Sequence, residues 1–141
     1  GKVSVLEISG NRYGHIVLTG GSHGPNYRVE QIAQCETDLQ AESLTANIMV
    51  DCSHANSKKD PALLPAVARN VSEQIVDGNQ SFIGLMLESH LEAGNQAMPD
   101  DLSALRYGVS VTDGCLDWAT TESFILELSE AAAAALKARA A

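Results

Sequence analysis

The feature that most constrains the fold is a short apolar run that recurs along the chain. The runs end near Thr19, Cys52 and Leu87, at intervals of 33 and 35 residues (Thr19 to Cys52, Cys52 to Leu87). They are continuous rather than alternating, as expected for strands that are buried on both faces. A strand followed by a helix, repeated at this length, predicts parallel strands joined by right-handed crossovers.

Two architectures contain such a unit: an open doubly wound sheet and a (β/α)8 barrel. A complete barrel takes about 250 residues, whereas this chain has 141. The chain is therefore long enough for about three of the eight units. The pattern alone does not decide between an open doubly wound sheet and an incomplete barrel.

The N-terminal segment carries a second strand signal. Residues 3–8 are partly alternating and β-branched, residues 9–14 have turn composition, and residues 15–18 are apolar. This pattern predicts a β-ribbon. We accordingly expect one partial barrel domain over residues 1–141, with the ribbon and the first barrel strand in residues 1–19 and the remaining β/α units in residues 20–141.

Three helices are expected. Apolar residues at three- and four-residue spacing predict the first over residues 29–39. Asp60 and Pro61 are typical of an N-cap and a first helical position, so the second helix is expected to start there and to end before residues 77–79. The third is expected from about Thr120 to Lys137, with an alanine-rich end of high helix propensity but little apolar surface to pack.

Charge and cysteine usage exclude several classes of protein. The net charge of −9 argues against nucleic-acid binding, which requires a basic surface. Three widely spaced cysteines do not form a disulfide framework and indicate a reducing compartment, so we predict a cytoplasmic protein. No segment approaches the ~20 apolar residues that span a bilayer, and the N-terminus lacks a signal-peptide pattern.

Chemically useful side chains follow the apolar runs. Active sites of α/β folds lie at the carboxyl ends of their strands. His54 follows the second run, Glu88 follows the third, and Asp113 lies in the last long loop. One imidazole with two carboxylates suits a divalent first-row metal such as Mn, Fe, Co or Zn.

Ordinary structural roles explain each of these residues as well, and by pattern alone they are favoured. His54 can hydrogen-bond a loop, Glu88 can pair with an arginine, and Asp113 before a glycine is a common turn residue. Ordinary structural roles are also expected for four other residues. His90 is expected in a loop or supporting the site, Cys52 and Cys115 as small core residues, and Trp118 in the core or an interface.

The glycines around residues 20–25 resemble a phosphate-binding loop. They lack the spacing of either nucleotide fingerprint, so we do not expect a nucleoside triphosphate or dinucleotide site there.

Four segments resemble the motifs of one known family, in the family's order and over nearly the whole chain. They are residues 20–27 (GGSHGPNY), 51–57 (DCSHANS), 84–96 (GLMLESHLEAGNQ) and 107–115 (YGVSVTDGC). The family motifs are GG…PNY, D-x-SHANS, G-x-M-x-ESHL…GNQ and YG-x-S-x-TD-x-C. The chain resembles the C-terminal part of a class I 3-deoxy-D-arabino-heptulosonate-7-phosphate (DAHP) synthase, the metal-dependent enzyme that opens the shikimate pathway.

The resemblance implies an aldol-type condensation of phosphoenolpyruvate with erythrose 4-phosphate in a (β/α)8 barrel. It implies metal ligands at His54, Glu88 and Asp113, with a fourth ligand, a cysteine, on the absent first strand. His54 would also lie near phosphoenolpyruvate, and His54 and Asp113 would be the catalytic residues. The ribbon would border the aromatic amino acid site of feedback-regulated members.

Two departures from the family pattern stand out. The family usually has arginine before the double glycine, where it contacts the phosphate of phosphoenolpyruvate, and this chain has Thr19. Losing such a charge-assisted donor costs a few kcal/mol of anion binding. The first five strands are also missing, together with the other substrate-binding residues of the family.

Three hypotheses follow. The chain is a fragment or partial subunit of the enzyme, a non-catalytic partial-barrel module or pseudoenzyme, or a different metal-dependent lyase on an open sheet. Because a three-stranded sheet exposes its edges and one face, we expect the lone chain to form a homo-oligomer or to retain a partner that supplies the N-terminal half.

Overall fold

The computed structural model describes residues 3–11 and 13–139. Within them it is an α/β structure in which three strands alternate with three α-helices. The elements are β1 (Ile16–Leu18), α1 (Val29–Ala41), β2 (Ile48–Asp51), α2 (Leu64–Val76), β3 (Phe82–Met86) and α3 (Trp118–Arg139), with short 3-10 helices at Pro61–Leu63 and Leu102–Ala104. No helix in this part of the chain is long and apolar enough to cross a membrane.

The strands form one parallel sheet in the order β1-β2-β3, which confirms the prediction of parallel strands. Leu18 pairs with Val50, and Val50 pairs with Leu85, with one irregularity between Ile48 and Met49. The carboxyl ends of all three strands therefore lie at the same edge, and the loops after them meet there.

The core lies between one face of the sheet and the helices. Ile48 and Val50 of the central strand are fully buried, as expected for a strand with a neighbour on each side. The helices contribute mainly Ile32 of α1, Val71 of α2 and Phe124 of α3 to the same cluster.

The opposite face of the sheet is open. Val17 and Met49 are aligned with Gly84 on this face by the strand register. Val17 is 38% exposed and Met86, at the end of β3, is 41% exposed. Each outer strand also has an unpaired edge in the described structure. The expected exposure of strand edges and of one sheet face is therefore present.

The predicted β-ribbon is wrong. The structure assigns no strand to residues 3–11, and Val3 and Val5 are fully exposed. The predicted partner strand, Ile16–Leu18, pairs in parallel with β2 instead. An alternating β-branched segment becomes a strand only where a neighbour accepts its backbone hydrogen bonds, and no strand of the described structure lies beside this one.

The start of the second helical segment was predicted in part. The Oδ1 atom of Asp60 accepts a hydrogen bond from the Ala62 N–H at 3.0 Å, as a cap does. The turn it caps is the 3-10 helix, and α2 begins at Leu64. Proline at residue 65 occupies the first turn of α2, where its missing N–H costs no hydrogen bond.

Helix α3 extends beyond its predicted limits at both ends because each end has a specific anchor. At the N-terminal end, the Oδ1 atom of Asp117 accepts from the Thr120 N–H at 2.7 Å. At the C-terminal end, the Arg139 guanidinium donates to the carbonyl of Phe82 at 3.1 Å and to the carbonyl of Asn79. The alanine-rich turns are thus fastened to the start of β3.

The double-glycine loop packs directly against the loop that follows β2. Gly20 has φ +77°, and a Cβ added there would lie 2.7 Å from the Ala55 Cβ and 2.9 Å from the backbone of Ala55 and of Asn56. The Gly20 N–H donates to the Asn26 side chain at 2.7 Å. Glycine is therefore required at residue 20 both by its backbone conformation and by this contact.

We predict that Gly20→Ala destabilises the chain by about 2–4 kcal/mol, because it combines a left-handed alanine with a backbone overlap. Gly21→Ala is the matched control, since nothing lies within 4 Å of a Cβ added there, and its effect should stay within about 0.5 kcal/mol. Urea unfolding followed by circular dichroism measures both. Equal midpoints for the two variants would contradict the close packing of these loops.

Candidate metal centre

Three candidate ligands meet at the carboxyl edge of the sheet. His54 follows β2, Glu88 follows β3, and Asp113 precedes α3. Each offers one ligand atom, and these three atoms all lie within 4.8 Å of one another. The structure thus brings together the residues that the sequence placed in three separate segments.

Glu88 and Asp113 are close because the chain folds back on itself after β3. The Leu116 N–H donates to the Glu88 carbonyl at 3.0 Å, and the His90 N–H donates to the Leu116 carbonyl at 2.9 Å. A further bridge joins Gly94 to Cys115. These bonds extend the sheet edge by a short ladder, which fixes the position of Asp113 relative to Glu88.

The distances fit a first-row metal ion. The His54 Nε2 atom lies 3.9 Å from the Glu88 Oε1 atom and 3.9 Å from the Asp113 Oδ2 atom. Metal bonds of about 2.1 Å to nitrogen and oxygen place neighbouring ligand atoms roughly 3–4 Å apart. One imidazole and two carboxylates also form a donor set that suits such ions.

Asp51 orients the imidazole. The His54 Nδ1–H donates to the Asp51 Oδ2 atom at 2.6 Å, and the other Asp51 oxygen accepts the Ser53 N–H at 2.9 Å. Asp51 is almost fully buried. With Nδ1 protonated, the lone pair of Nε2 is directed at the two carboxylates, and a carboxylate behind a histidine is the usual support of a metal ligand.

The role of Asp51 was not predicted from the sequence. The available signal was its spacing of three residues from His54 at the end of a buried strand, where an acid needs a partner.

The loop after β2 holds His54 in an unusual conformation. Three of its residues lie in the left-handed region, His54 at φ 50°, Lys58 at φ 56° and Lys59 at φ 62°. The Lys59 N–H donates to the His54 carbonyl at 2.7 Å. Such conformations persist where surrounding bonds enforce them, and they are frequent at functional sites.

A buried amide clamps this loop to its neighbours. The Asn56 Nδ2 group donates to the carbonyl of Leu18 at 3.0 Å and to that of Asp51 at 2.8 Å. Its Oδ1 atom accepts the Asn26 N–H at 2.8 Å. The asparagines of residues 20–27 and 51–57 therefore belong to one hydrogen-bonded unit.

Charges around the site act on the imidazole. The hydrogen bond to Asp51 raises the pKa of His54 above its ordinary value; burial opposes this rise, and the charges of Asp51, Glu88 and Asp113 add to it. Lys59 is a nearby cation, with its Nζ atom 3.8 Å from the Asp113 Oδ1 atom. Lys59, which follows the SHANS residues in the same loop, was not predicted as a site residue from the sequence.

Thr19, the remaining predicted site residue, lies at the end of β1 and is exposed. Its hydroxyl donates to the Gly20 carbonyl at 3.3 Å, and its own carbonyl accepts the Ala55 N–H at 3.1 Å. Thr19 therefore contacts the loop that carries His54, but its side chain brings no charge to the site.

The other residues discussed from the sequence, Cys52, Cys115, His90 and Trp118, lie outside the ligand cluster. Burial, with a smaller contribution from Asp51, raises the pKa of the Cys52 thiol to about 12, so Cys52 is a core residue and not a nucleophile. Cys115 is also buried. His90 contacts the Gly108 carbonyl through Nδ1. Trp118 is 58% exposed, so its expected place in the core is wrong and the interface alternative stays.

We predict that Asp51→Asn lowers the pKa of His54 more than Asp113→Asn does, because Asp51 makes the direct hydrogen bond. Proton NMR titration of the metal-free chain measures this, with His54 assigned by comparison with His54→Gln. Since the folded-state pKa is raised, the contribution of His54 to stability is fully present below its unfolded pKa, about 6.5. It is lost as pH rises through the folded value. A His54 pKa unaltered by Asp51→Asn would contradict the pairing.

Comparisons with known proteins agree on one family. The profile of the DAHP synthetase I family matches residues 2–125. The chain is 46% identical over 139 residues to the Tyr-sensitive phospho-2-dehydro-3-deoxyheptonate aldolase of Enterobacter agglomerans, covering 99% of this chain and 65% of that protein. It is 45% identical over 141 residues to the Tyr-sensitive enzyme of Escherichia coli (strain K12), covering all of this chain and 39% of that protein.

A solved structure shows the same relationship. The phospho-2-dehydro-3-deoxyheptonate aldolase of Francisella tularensis SCHU S4 superposes with a TM-score of 0.81 at 38% identity, over 87% of this chain and 35% of that one. The chain thus spans between about a third and two thirds of the length of these relatives. With a family match over most of its residues, the chain belongs to the DAHP synthetase I family.

Proposed function

We propose that this chain is part of a DAHP synthase, which condenses phosphoenolpyruvate with erythrose 4-phosphate in the first step of the shikimate pathway. The observation that carries the proposal is the cluster of His54, Glu88 and Asp113 with Asp51 behind the histidine. The family to which the chain belongs makes this the reaction that such a cluster would serve.

In this proposal His54 Nε2, Glu88 and Asp113 hold a divalent ion such as Mn²⁺, Fe²⁺ or Co²⁺. When bound, such an ion supplies Lewis-acid polarisation of the aldehyde oxygen. Asp51 keeps the His54 proton on Nδ1, so that the lone pair of Nε2 is available to bind the ion. The condensation forms a bond between the methylene carbon of phosphoenolpyruvate and the aldehyde carbon of erythrose 4-phosphate, and the aldehyde oxygen takes up a proton to become a hydroxyl. Water adds to the neighbouring carbon of phosphoenolpyruvate and inorganic phosphate leaves, which gives the keto group of the product. His54 lies next to phosphoenolpyruvate, and Asp113 positions the reacting groups.

Thr19 weakens one part of the substrate site. The family arginine at this position is a charged donor to phosphate, whereas Thr19 offers a neutral hydroxyl. Because the chain carries a net charge of −9, anionic substrates need local cations. Lys59, beside Asp113, is one such cation, and the rest would come from the absent N-terminal part.

The three β/α units would be the C-terminal part of a (β/α)8 barrel. The unpaired edges of β1 and β3 are where the other strands would pair, and the open face of the sheet would line the barrel interior.

We therefore expect the isolated chain to self-associate or to retain a partner. Light scattering should give a mass above the 14.9 kDa of one chain; a stable monomer would contradict this expectation.

Two further aspects belong to the proposal. The names of the relatives from Enterobacter agglomerans and Escherichia coli describe Tyr-sensitive enzymes, which supports an aromatic amino acid as effector. The three free cysteines support a reducing compartment, and with it the cytoplasm.

The second candidate is a non-catalytic partial-barrel module or pseudoenzyme. It is favoured by Thr19 at the position of the family arginine and by the limited share of its relatives that the chain covers. Metal binding alone does not separate the two candidates, because a pseudoenzyme can keep its ligands. Turnover separates them.

We predict that the chain binds Mn²⁺ and that His54→Ala weakens this binding by more than about tenfold, because a ligand is lost. His23→Ala is the matched control, since His23 is exposed and lies outside the cluster; its Mn²⁺ affinity should equal that of the unaltered chain. The electron paramagnetic resonance signal of free Mn²⁺ measures both. If both variants bind equally well, the metal does not use His54.

We predict no loss of phosphoenolpyruvate absorbance when the isolated chain is mixed with erythrose 4-phosphate and Mn²⁺, because most of the substrate site is absent. Adding the N-terminal part of a family member should restore turnover, and Asp113→Asn in this chain should abolish it again. Turnover by the isolated chain would mean that self-association supplies the missing part. No turnover in either mixture would favour the non-catalytic module.

A further inference from the structure

A cavity of about 400 Å³ lies between the loops after β1 and β2 and the starts of α1 and α2. Its walls are formed by Pro25, Tyr27, Arg28, Gln31, Asn56, Lys58, Leu63, Ala66 and Val67. Two of these residues are cations. No carboxylate lines the cavity within the described part of this acidic chain.

The two cations are not neutralised by the protein. Neither Arg28 nor Lys58 has an ion pair with a described residue; the Arg28 guanidinium instead lies 5.7 Å from the centre of the Tyr27 ring. Arg69, by contrast, pairs with Glu127 at 2.6 Å. Two cations without an ion pair at one cavity create a positive site on a protein of net charge −9.

The site is distinct from the metal centre although it shares a loop with it. Lys58 lines the cavity, whereas the next residue, Lys59, reaches Asp113 on the other side. Asn56 lies between the two, with its side chain committed to Leu18, Asp51 and Asn26. The cavity wall is therefore held rigid by the same bonds that position His54.

We infer that this cavity binds a small phosphate monoester. A guanidinium and an ammonium together match a dianion with several acceptor oxygens, and the Gln31 amide adds a further donor. Leu63 and Ala66, both exposed, offer an apolar wall for the carbon part of the ligand. The volume suits a small molecule, and the surrounding glycines lack nucleotide-binding spacing. The inference does not depend on the proposed function, because it uses none of the metal ligands.

The test uses the metal-free chain titrated with inorganic phosphate and with glycerol 3-phosphate, against sodium chloride at equal ionic strength. Two-dimensional ¹H–¹⁵N NMR should show saturable shifts centred on Tyr27, Gln31 and Lys58 with both phosphates and not with chloride. Glycerol alone should leave these signals in place. Equal shifts with chloride would overturn the inference, because they would indicate general screening.

Substitution of the two cavity cations tests whether they bind the phosphate. Arg28→Gln and Lys58→Gln should each weaken phosphate binding about tenfold, the loss of one charge-assisted contact. Lys137→Gln is the matched control: it removes the same charge from an exposed residue in the last turn of α3 and should leave the affinity within about twofold. Lys59→Gln removes the cation beside Asp113 and reports phosphate that binds at the metal centre instead. Thermal unfolding by circular dichroism verifies that each variant folds. Loss of binding in Lys59→Gln with none in Arg28→Gln or Lys58→Gln would place phosphate at the metal centre and overturn the inference.

Discussion

The arrangement of the site depends on the buried side chain of Asn56. One amide reaches the end of β1 through the Leu18 carbonyl, the end of β2 through the Asp51 carbonyl, and the loop before α1 through the Asn26 N–H. A buried amide without these partners would cost its full desolvation free energy, because no hydrogen bond would replace those to water. The three segments are therefore held together as a unit. His54, two residues earlier, is placed by this clamp and oriented by Asp51.

Much of the fold was predictable because the apolar runs in the sequence mark the buried strands. In this chain each such strand is followed by a helix, so the runs also reveal the order of the elements. The three parallel strands, the end of α2 and the cluster of His54, Glu88 and Asp113 were all expected from their places along the chain. The geometry of the cluster was not predictable. The approach of Asp113 to Glu88 depends on backbone bonds from Leu116 and His90, which no side-chain pattern records.

The errors have physical causes as well. The β-branched alternation at residues 3–8 reflects a local preference for extended backbone, but a strand forms only beside another strand, and none of the described strands lies there. Of the two places expected for Trp118, the core is wrong, because Trp118 stands at the exposed start of α3; the interface stays a prediction. Asp51 was overlooked because its role is only visible once the side chain is seen behind His54. Long-range contacts decide the residue 3–8 and Asp51 cases, and local sequence does not encode them directly.

The contact of Arg139 joins the last described turn of α3 to the sheet. Its guanidinium donates to the carbonyl of Phe82 at the start of β3 and to that of Asn79 just before it, more than fifty residues earlier. A protease that cuts α3 ahead of this arginine would therefore do more than shorten a helix. It would remove a donor from both carbonyls, so a cut in α3 would also disturb β3, the strand that Glu88 follows.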